Sequence, residues 1–461
     1  MTHSSRKKKI LLISTAKKDH KGHKGKATPC AALGIIASYT PSHYDLIIVN
    51  EQNGDDVFHE DVDLVAFSAM TTQINRSIEV SEHYRAKGVP TVIGGIHASV
   101  RPEDARGHFD AIVLGEGDLV WPELLQDFEN GSLKEVYKAD KLIDMADVAP
   151  FRHDLLYKKK TTVSHAIVQV SRGCPYKCEF CSAVGLFGDH FRTRPVENVI
   201  NELKSLKQKF IFIVDDNIMG DSNYARELFT SMLPLKKYWG GQASLGLSTK
   251  DASLLRLARK SGCRGLFIGI ESVSNTNMLG KLGSASLKKI SERIRMIQDE
   301  GILVQTSIVY GFDHDDQYCF EKTVDFLLEN KVGLTSICTL TPYPGSALFT
   351  RLEKEGRLLH HEWDKYNNFY PVFKMTNIDP EVLMAGARWS SYRFYRSKSI
   401  LKRLPRNLSN IFYYFLMNFH YNRATKNHVR DGACITPMPP AMKEEWLQQM
   451  QSDVTDDVAA Y

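Results

Sequence analysis

Three cysteines, Cys174, Cys178 and Cys181, follow the apolar run 166–170 with three and then two residues between them. Thiolates are the usual ligands of iron–sulfur clusters, and a tight turn containing Gly173 and Pro175 can wrap three of them around one cluster corner. A structural zinc site usually needs a full tetrahedral set of N or S ligands, and no further Cys or His stands nearby at finger spacing. Three protein thiolates would leave one iron of a cubane cluster open to another ligand. The other five cysteines, Cys30, Cys263, Cys319, Cys338 and Cys434, are scattered along the chain, so incidental clustering is a poor account of the triad.

Elements able to position such a site fall into two series. Strand-like runs at 10–14, 45–49, 64–68, 91–94 and 111–114 alternate with helical stretches, notably 30–39 and 75–87. Apolar strands alternating with helices predict a parallel sheet, whose ligands bind beyond the strand carboxyl ends. Those ends carry Ser68 to Gln73, Gly94-Gly95-Ile96-His97 and Gly115-Glu116-Gly117-Asp118. Small residues let a large ligand approach the backbone, and hydroxyls bond its polar edge. Each glycine pair alone equally marks a turn, and His97 equally suits a solvated loop. Residues 125–160 leave the sheet pattern, and the polar run before Pro150 reads as a linker.

Beyond it, strand-like runs at 166–170, 210–214, 242–247, 265–270, 303–309 and 333–340 alternate with helical 196–207, 225–233, 252–261, 285–299 and 321–330. These six βα repeats are too few for a complete barrel. Asp215 and Asp216 end the second run, Glu271 and Ser272 the fourth, Gly311 the fifth, and Tyr343-Pro344-Gly345 follows the sixth. Adjacent acids at a strand end are costly to bury without partners, which favours a ligand role; an exposed loop or a helix cap is the other reading. Glu271 suits either ligand hydroxyls or an internal salt bridge.

At 461 residues the chain holds two substantial cores. Lys+Arg 59 against Asp+Glu 54 gives a net charge of +5, and basic and aromatic residues are not interleaved as a nucleic-acid groove requires. Lys7-Lys8-Lys9 runs straight into the first strand with no h-region, and eight cysteines are too sparse for a disulfide scaffold. A reducing cytoplasm is expected. His360-His361 lacks partner spacing for a metal site. The aromatic run 411–421 is too short to span a bilayer, but its flanks Arg403, Arg406 and Arg423 permit peripheral association with a membrane surface. A buried helix is the alternative.

The segment Cys174-Pro-Tyr-Lys-Cys178-Glu-Phe-Cys181 resembles the cluster-binding loop of the radical S-adenosylmethionine (SAM) enzymes. That resemblance implies a [4Fe–4S] cluster whose open iron chelates SAM's amino and carboxylate groups, and reductive cleavage to a 5′-deoxyadenosyl radical. It implies Phe180 near adenine, Asp215 or Asp216 over the methionine amine, Glu271 and Ser272 at ribose or methionine, and Gly311 beside adenine. With the preceding sheet, the pattern resembles the cobalamin-binding domain found before many radical SAM barrels. The familiar Asp-x-His-x-x-Gly motif is missing; His20 and His23 in the first loop do not reproduce its spacing. Many members of the resembled group hold cobalamin without a protein histidine. Ser68 then belongs with the cofactor-binding residues, Met70, Thr71, Thr72 and Gln73 face the corrin, and Gly94, Gly95 and Glu116 the nucleotide tail. A core role competes for Met70.

The stretches at Phe187-Gly188, Val214 to Gly220, Gly269 to Glu271, Tyr310 to Asp315 and Pro344-Gly345 look like the cobalamin-dependent subgroup containing hopanoid C2 methylase, to which a magnesium-porphyrin oxidative cyclase is related. The implied architecture is α/β: a Rossmann-like cobalamin-binding domain (1–145), a linker (146–160), a partial (β/α)6 barrel (161–350) and a mostly helical region (351–461). The implied reaction is methyl transfer from methylcobalamin to an sp3 carbon of a hydrophobic or amphipathic small molecule, with electrons from a flavodoxin- or ferredoxin-like donor. Oxidation, cyclisation or rearrangement without net methyl transfer is the alternative.

Overall fold

The computed structural model describes residues 6–17, 28–157, 165–187, 190–274 and 287–430. The loop histidines His20 and His23, and Gly188, lie outside them. In the N-terminal part, β1 (Lys9–Ser14), β2 (Asp45–Asn50), β3 (Leu64–Ser68), β4 (Thr91–Gly94), β5 (Ala111–Leu114) and β6 (Val136–Lys138) form a parallel sheet in the order β2-β1-β3-β4-β5-β6. Ile10 to Ile13 have no exposure at all, as expected of a strand covered on both faces. The order reverses between β1 and β3, which opens a crevice at their carboxyl ends. Helix Ala31–Ser38 rises on one side of it.

The expectation that the sheet pattern ends near residue 125 is corrected by β6. This edge strand buries only Tyr137, between half-buried Val136 and exposed Lys138, so it lacks the periodic apolar signal of a strand. A short helix, His153–Leu156, lies where a plain linker was expected.

The second sheet contains β7 (His165–Val168), β8 (Phe210–Ile213), β9 (Tyr238–Ser244), β10 (Cys263–Glu271), β11 (Leu303–Tyr310) and β12 (Leu334–Thr339), each parallel to its sequence neighbours. It does not close: β7 and β12 are its two edges. The expected partial barrel is therefore present. β9 starts earlier than expected because Gly240 and Gly241 lie inside it, where they carry no strand signal; residues Leu245–Ser248 turn as a short helix instead. Outer helices show the usual logic. Ala252–Lys260 is capped by Asp251, which accepts from the Ser253 amide, and buries Leu254, Leu255 and Ala258.

Helices Pro380–Tyr395 and Ile411–Arg430 cover the β12 edge. The Tyr395 hydroxyl accepts from the Thr335 amide at 2.9 Å and donates to the Thr335 carbonyl at 2.6 Å. Arg403 is not a basic flank, as the sequence suggested, but fully buried. It donates to the carbonyls of Val332, Gly333 and Phe394 and to Asn418 Oδ1, and lies 3.7 Å from the Phe394 ring centroid. Among the described residues no helix is long and apolar enough to cross a membrane.

The two sheets share a core. Ile13, Phe67 and Ile93 belong to the same buried cluster as Phe312, Leu348, Phe349 and Trp363, which fixes the carboxyl ends of the first sheet against the carboxyl ends of the second.

Candidate functional site

A cavity of about 280 Å³ opens at the carboxyl ends of the N-terminal strands. Its walls are small and apolar: Ala31, Ala32, Gly94, Gly95, Gly115 and Gly117 stand beside Leu33, Val92 and Val113. Gln169, Arg172, Leu186 and Phe187, from either side of the cysteine loop, close it. One space thus touches both the cofactor-type sheet and the cluster-type loop.

Arg172 is the hinge of this junction. It is 3% exposed and donates to both carboxylate oxygens of Asp118 at 2.9 and 3.0 Å, with Glu116 a further 3.0 Å away. Arg192 also pairs with Glu116, at 2.5 Å, and reaches the Ile143 carbonyl at 2.8 Å. Glu116 was expected at a ligand's nucleotide tail. It does line the cavity, but its oxygens are engaged by two guanidinium groups and the Ile143 amide, and these cations hold its carboxyl below the usual range despite burial. Neither Arg172 nor Arg192 drew attention in the sequence, because a lone arginine near a motif carries no spacing signal.

The other N-terminal candidates divide. Ser68, Gly94 and Gly95 line the cavity. Gly95 also answers to the backbone: at φ 98° its missing Cβ would stand 2.7 Å from the Ala69 carbonyl oxygen, so no other residue fits there. Met70 is 50% exposed at the strand end, which corrects the core reading. Thr71, Thr72 and Gln73 are buried. Gln73 accepts from the Met70 amide and donates to Ser14 and the Thr15 carbonyl, while Thr71 meets His97 at 3.3 Å. These side chains brace the loops of β1, β3 and β4, a correction to the expectation that Thr71 and Gln73 face a corrin. His97 is likewise fully buried, between Thr71, Asp104 and the Trp363 ring, and is no solvated loop residue.

In the barrel, the cysteine loop is pinned from outside. The Leu348 amide donates to the Glu179 carbonyl at 2.8 Å, and Arg351 pairs with the Glu179 carboxylate at 2.6 Å. Cys174 and Cys181 are half-buried and Cys178 exposed; all three are free thiols. Among the described residues no three acids, cysteines or histidines are already drawn together around one metal position. Three free thiols on one pinned turn still fit the donor set of an iron–sulfur cluster.

The paired acids at the end of β8 have different surroundings. Asp215 is 1% exposed, accepts from the Val170 amide at 2.8 Å and from the Ser171 hydroxyl at 2.5 Å, and burial pushes its pKa up to about 7. It fixes the segment leading into the cysteines. Asp216 is half-buried and bonds to the Gly173 backbone, and burial raises its pKa; it is the acid left facing the loop. Asn217, in the Val214 to Gly220 stretch, directs its amide toward Cys174 Sγ at 3.8 Å and Ser244 Oγ at 3.2 Å.

Glu271 is aimed by the backbone. The ladder slips between Gly269 and Glu271, and Glu271 adopts a left-handed φ of 63°. Such strain in a non-glycine residue is typical of functional sites. A side chain at Gly269 would collide with the Glu271 carboxylate. Ser307 donates to Glu271 at 3.2 Å, and burial lifts its pKa to about 7. The salt-bridge alternative fails among the described residues, where no cation pairs with it. Ser272 is buried and faces His314 at 3.4 Å. Gly311 turns at φ 106°, its amide held by Asp315 at 2.9 Å, and the next residue, Phe312, meets Phe180 edge-on with ring centroids 6.1 Å apart.

Residues 29–125 match the B12 binding domain model, and residues 168–327 match the radical SAM superfamily model. Along 92% of its length the chain is 28% identical to a bacteriochlorophyllide d C-12(1)-methyltransferase of Chlorobaculum tepidum, covering 94% of that protein. It is 26% identical over 88% of its length to the hopanoid C-2 methylase of Rhodopseudomonas palustris, of which 78% is covered. The solved structure of the cobalamin-dependent SAM radical enzyme OxsB, with aqua-cobalamin bound, superposes with a TM-score of 0.68 at 13% identity, over 91% of this chain and 72% of that one. The chain is a cobalamin-dependent radical SAM enzyme, a B12-binding domain followed by a radical SAM domain, and it resembles the hopanoid methylases as its sequence implied.

Proposed function

We propose that this enzyme methylates an unactivated carbon of a hydrophobic or amphipathic small molecule. The observation that carries the reading is the shared cavity: small-residue walls of the B12-type sheet end directly beside the cysteine loop. Near full-length similarity to a methyltransferase acting on a bacteriochlorophyllide supports the substrate class.

When bound, the cluster and SAM supply a substrate-activating radical and the corrinoid supplies the methyl group. The chain's own residues hold and orient. In this reading Cys174, Cys178 and Cys181 ligate the cluster, and Asp216 and Glu271 accept from SAM's amine and hydroxyls. Ser272, Gly311 and Phe180 border its ribose and adenine, while Asp215 acts from behind by fixing residues 170 and 171. Ser68, Gly94 and Gly95 border the corrinoid's nucleotide tail, and exposed Met70 stands at the corrin's edge. The domain division is 1–145, 146–160, 161–350 and 351–461. The electron donor is a flavodoxin- or ferredoxin-like protein, and the compartment is cytoplasmic.

The test is anaerobic reconstitution with cobalamin, iron and sulfide, followed by SAM, reductant and bacteriochlorophyllide d or a hopanoid as probe. Methylated product with both 5′-deoxyadenosine and S-adenosylhomocysteine is the expected result. 5′-Deoxyadenosine with an unmethylated product would point to oxidation or rearrangement, and failure to take up corrinoid would end the methyltransferase reading.

A further inference from the structure

Helix Ile411–Arg430 is apolar on two opposite faces. Tyr414 and Asn418 are fully buried, with Met417 and Tyr421 packed beside them against the barrel core. The outward face of such a helix is ordinarily polar. Here it presents Phe412, Phe415, Leu416 and Phe419, exposed by 79%, 43%, 55% and 69%, at the i, i+3, i+4, i+7 spacing of one stripe. Just upstream, Leu401 and Leu408 are also mostly exposed.

The charge pattern around this stripe is one-sided. Residues 382–430 contain ten lysines and arginines and no Asp or Glu. Lys398, Lys402, Arg406 and Arg423 are exposed, and none forms an ion pair among the described residues. Arg423 follows Phe419 by one helical turn and closes the stripe. Isolated exposed apolar residues need no explanation, but an aromatic stripe rimmed by cations does.

We propose that this face docks on an anionic lipid bilayer, lying in the interface without crossing it. Phe412, Phe415, Leu416 and Phe419 enter the acyl boundary, and Lys402, Arg406 and Arg423 meet lipid phosphates. The anchor sits at the far end of the barrel from the cysteines: Asn410 donates to the Arg264 and Gly301 carbonyls, at the entrances of β10 and β11. Docking therefore leaves the cluster loop turned away from the bilayer, and it stands independently of the methyltransferase reading.

The test is flotation of the full chain with vesicles of mixed phosphatidylglycerol and phosphatidylcholine, against phosphatidylcholine alone. The full chain floats with the anionic vesicles, less so at high salt. A Phe412→Ser/Phe415→Ser/Phe419→Ser variant loses flotation, and Lys402→Glu/Arg406→Glu/Arg423→Glu, which leaves the apolar packing alone, weakens it at least about tenfold. Reductive SAM cleavage in solution is unchanged in both. Any of these results overturns the proposal: no flotation, flotation indifferent to lipid charge and to both variants, or self-association of the full chain that the triple serine variant abolishes. Crosslinking of the stripe to residues 431–461 in vesicle-bound protein does so as well.

Discussion

Arg172 and Asp118 meet across the domain junction as a two-pronged pair, guanidinium nitrogens 2.9 and 3.0 Å from the two carboxylate oxygens, with both side chains buried. Arg172 stands two residues before Cys174 and lines the cavity of the other domain. The cavity and the cysteine loop are thereby held in register, with Arg192 bracing Glu116 on the same junction.

Removing that fork should disturb both cofactors. Arg172→Lys keeps a charge but cannot span Asp118 and Glu116 together, and breaking a buried pair costs about 3 kcal/mol or more. The expected outcome is a lowered unfolding midpoint with reduced iron content and reduced corrinoid uptake. Normal loading of both cofactors would show that the pair only holds the domains together.

Filling the cavity should separate them. A Cβ at Gly94 would meet Val113 at ordinary contact distance, 3.5 Å, so the fold tolerates a side chain there. Gly94→Leu extends into the slot and is expected to lower corrinoid affinity at least about tenfold, a penalty of the size that one misfitting group imposes. Iron content and SAM binding should remain at their starting values. Titration with hydroxocobalamin, followed by absorbance, measures the effect.

Glu271 should matter for SAM more than for stability. Glu271→Gln keeps the shape and removes the charge-assisted bond, worth about 1.5–3 kcal/mol. SAM affinity should fall by roughly tenfold or more, with cluster content intact. Calorimetric titration of SAM into the reconstituted protein distinguishes this from an unchanged affinity, which would remove Glu271 from the site.

Asp215 should tie stability to pH. Its folded pKa is raised by burial to about 7 from the ordinary value of 3.8, so the folded state binds the proton more tightly than the unfolded state. The stability it contributes is fully present below about pH 4, declines as pH rises toward 7, and is level above that. Glu271 acts in the same direction, so the informative quantity is a difference. In Asp215→Asn, which keeps an acceptor for the Val170 amide and replaces the oxygen that accepts from Ser171 with an amide donor its hydroxyl can meet by rotating, the decline should be shallower by one group. Urea unfolding from about pH 4 to pH 8 reads it; parallel curves for the two proteins would contradict the assignment.

The two sheets and the cysteine loop were legible because their signals are local. Ile10 to Ile13 is a buried strand by composition alone, and Pro380–Tyr395 is a helix with its cap and proline in sequence. β6 escaped because only Tyr137 enters the core, and the start of β9 because glycines fill it. At the site, residue identity showed where acids and hydroxyls stand but not which way they turn. Asp215 and Asp216 are alike in sequence, and only the approach of residues 170 and 171 separates them. Thr71 and Gln73 looked like ligand contacts because strand ends favour them; bonds from Gln73 to residues 14 and 15 and from Thr71 to His97, all distant in the chain, hold them inside. Arg172 was invisible, and Arg403 read as a surface flank, for the same reason: they bond residues distant in the chain.

The Tyr395 phenol has a consequence for solubility. A barrel that stops at six strands leaves a flank of unpaired peptide groups on β12, and such a flank is a template on which another chain can add a strand. By taking both the amide and the carbonyl of Thr335, one side chain withdraws the entrance of that template. With the two covering helices, that pairing leaves the unclosed barrel less edge on which a foreign strand can add.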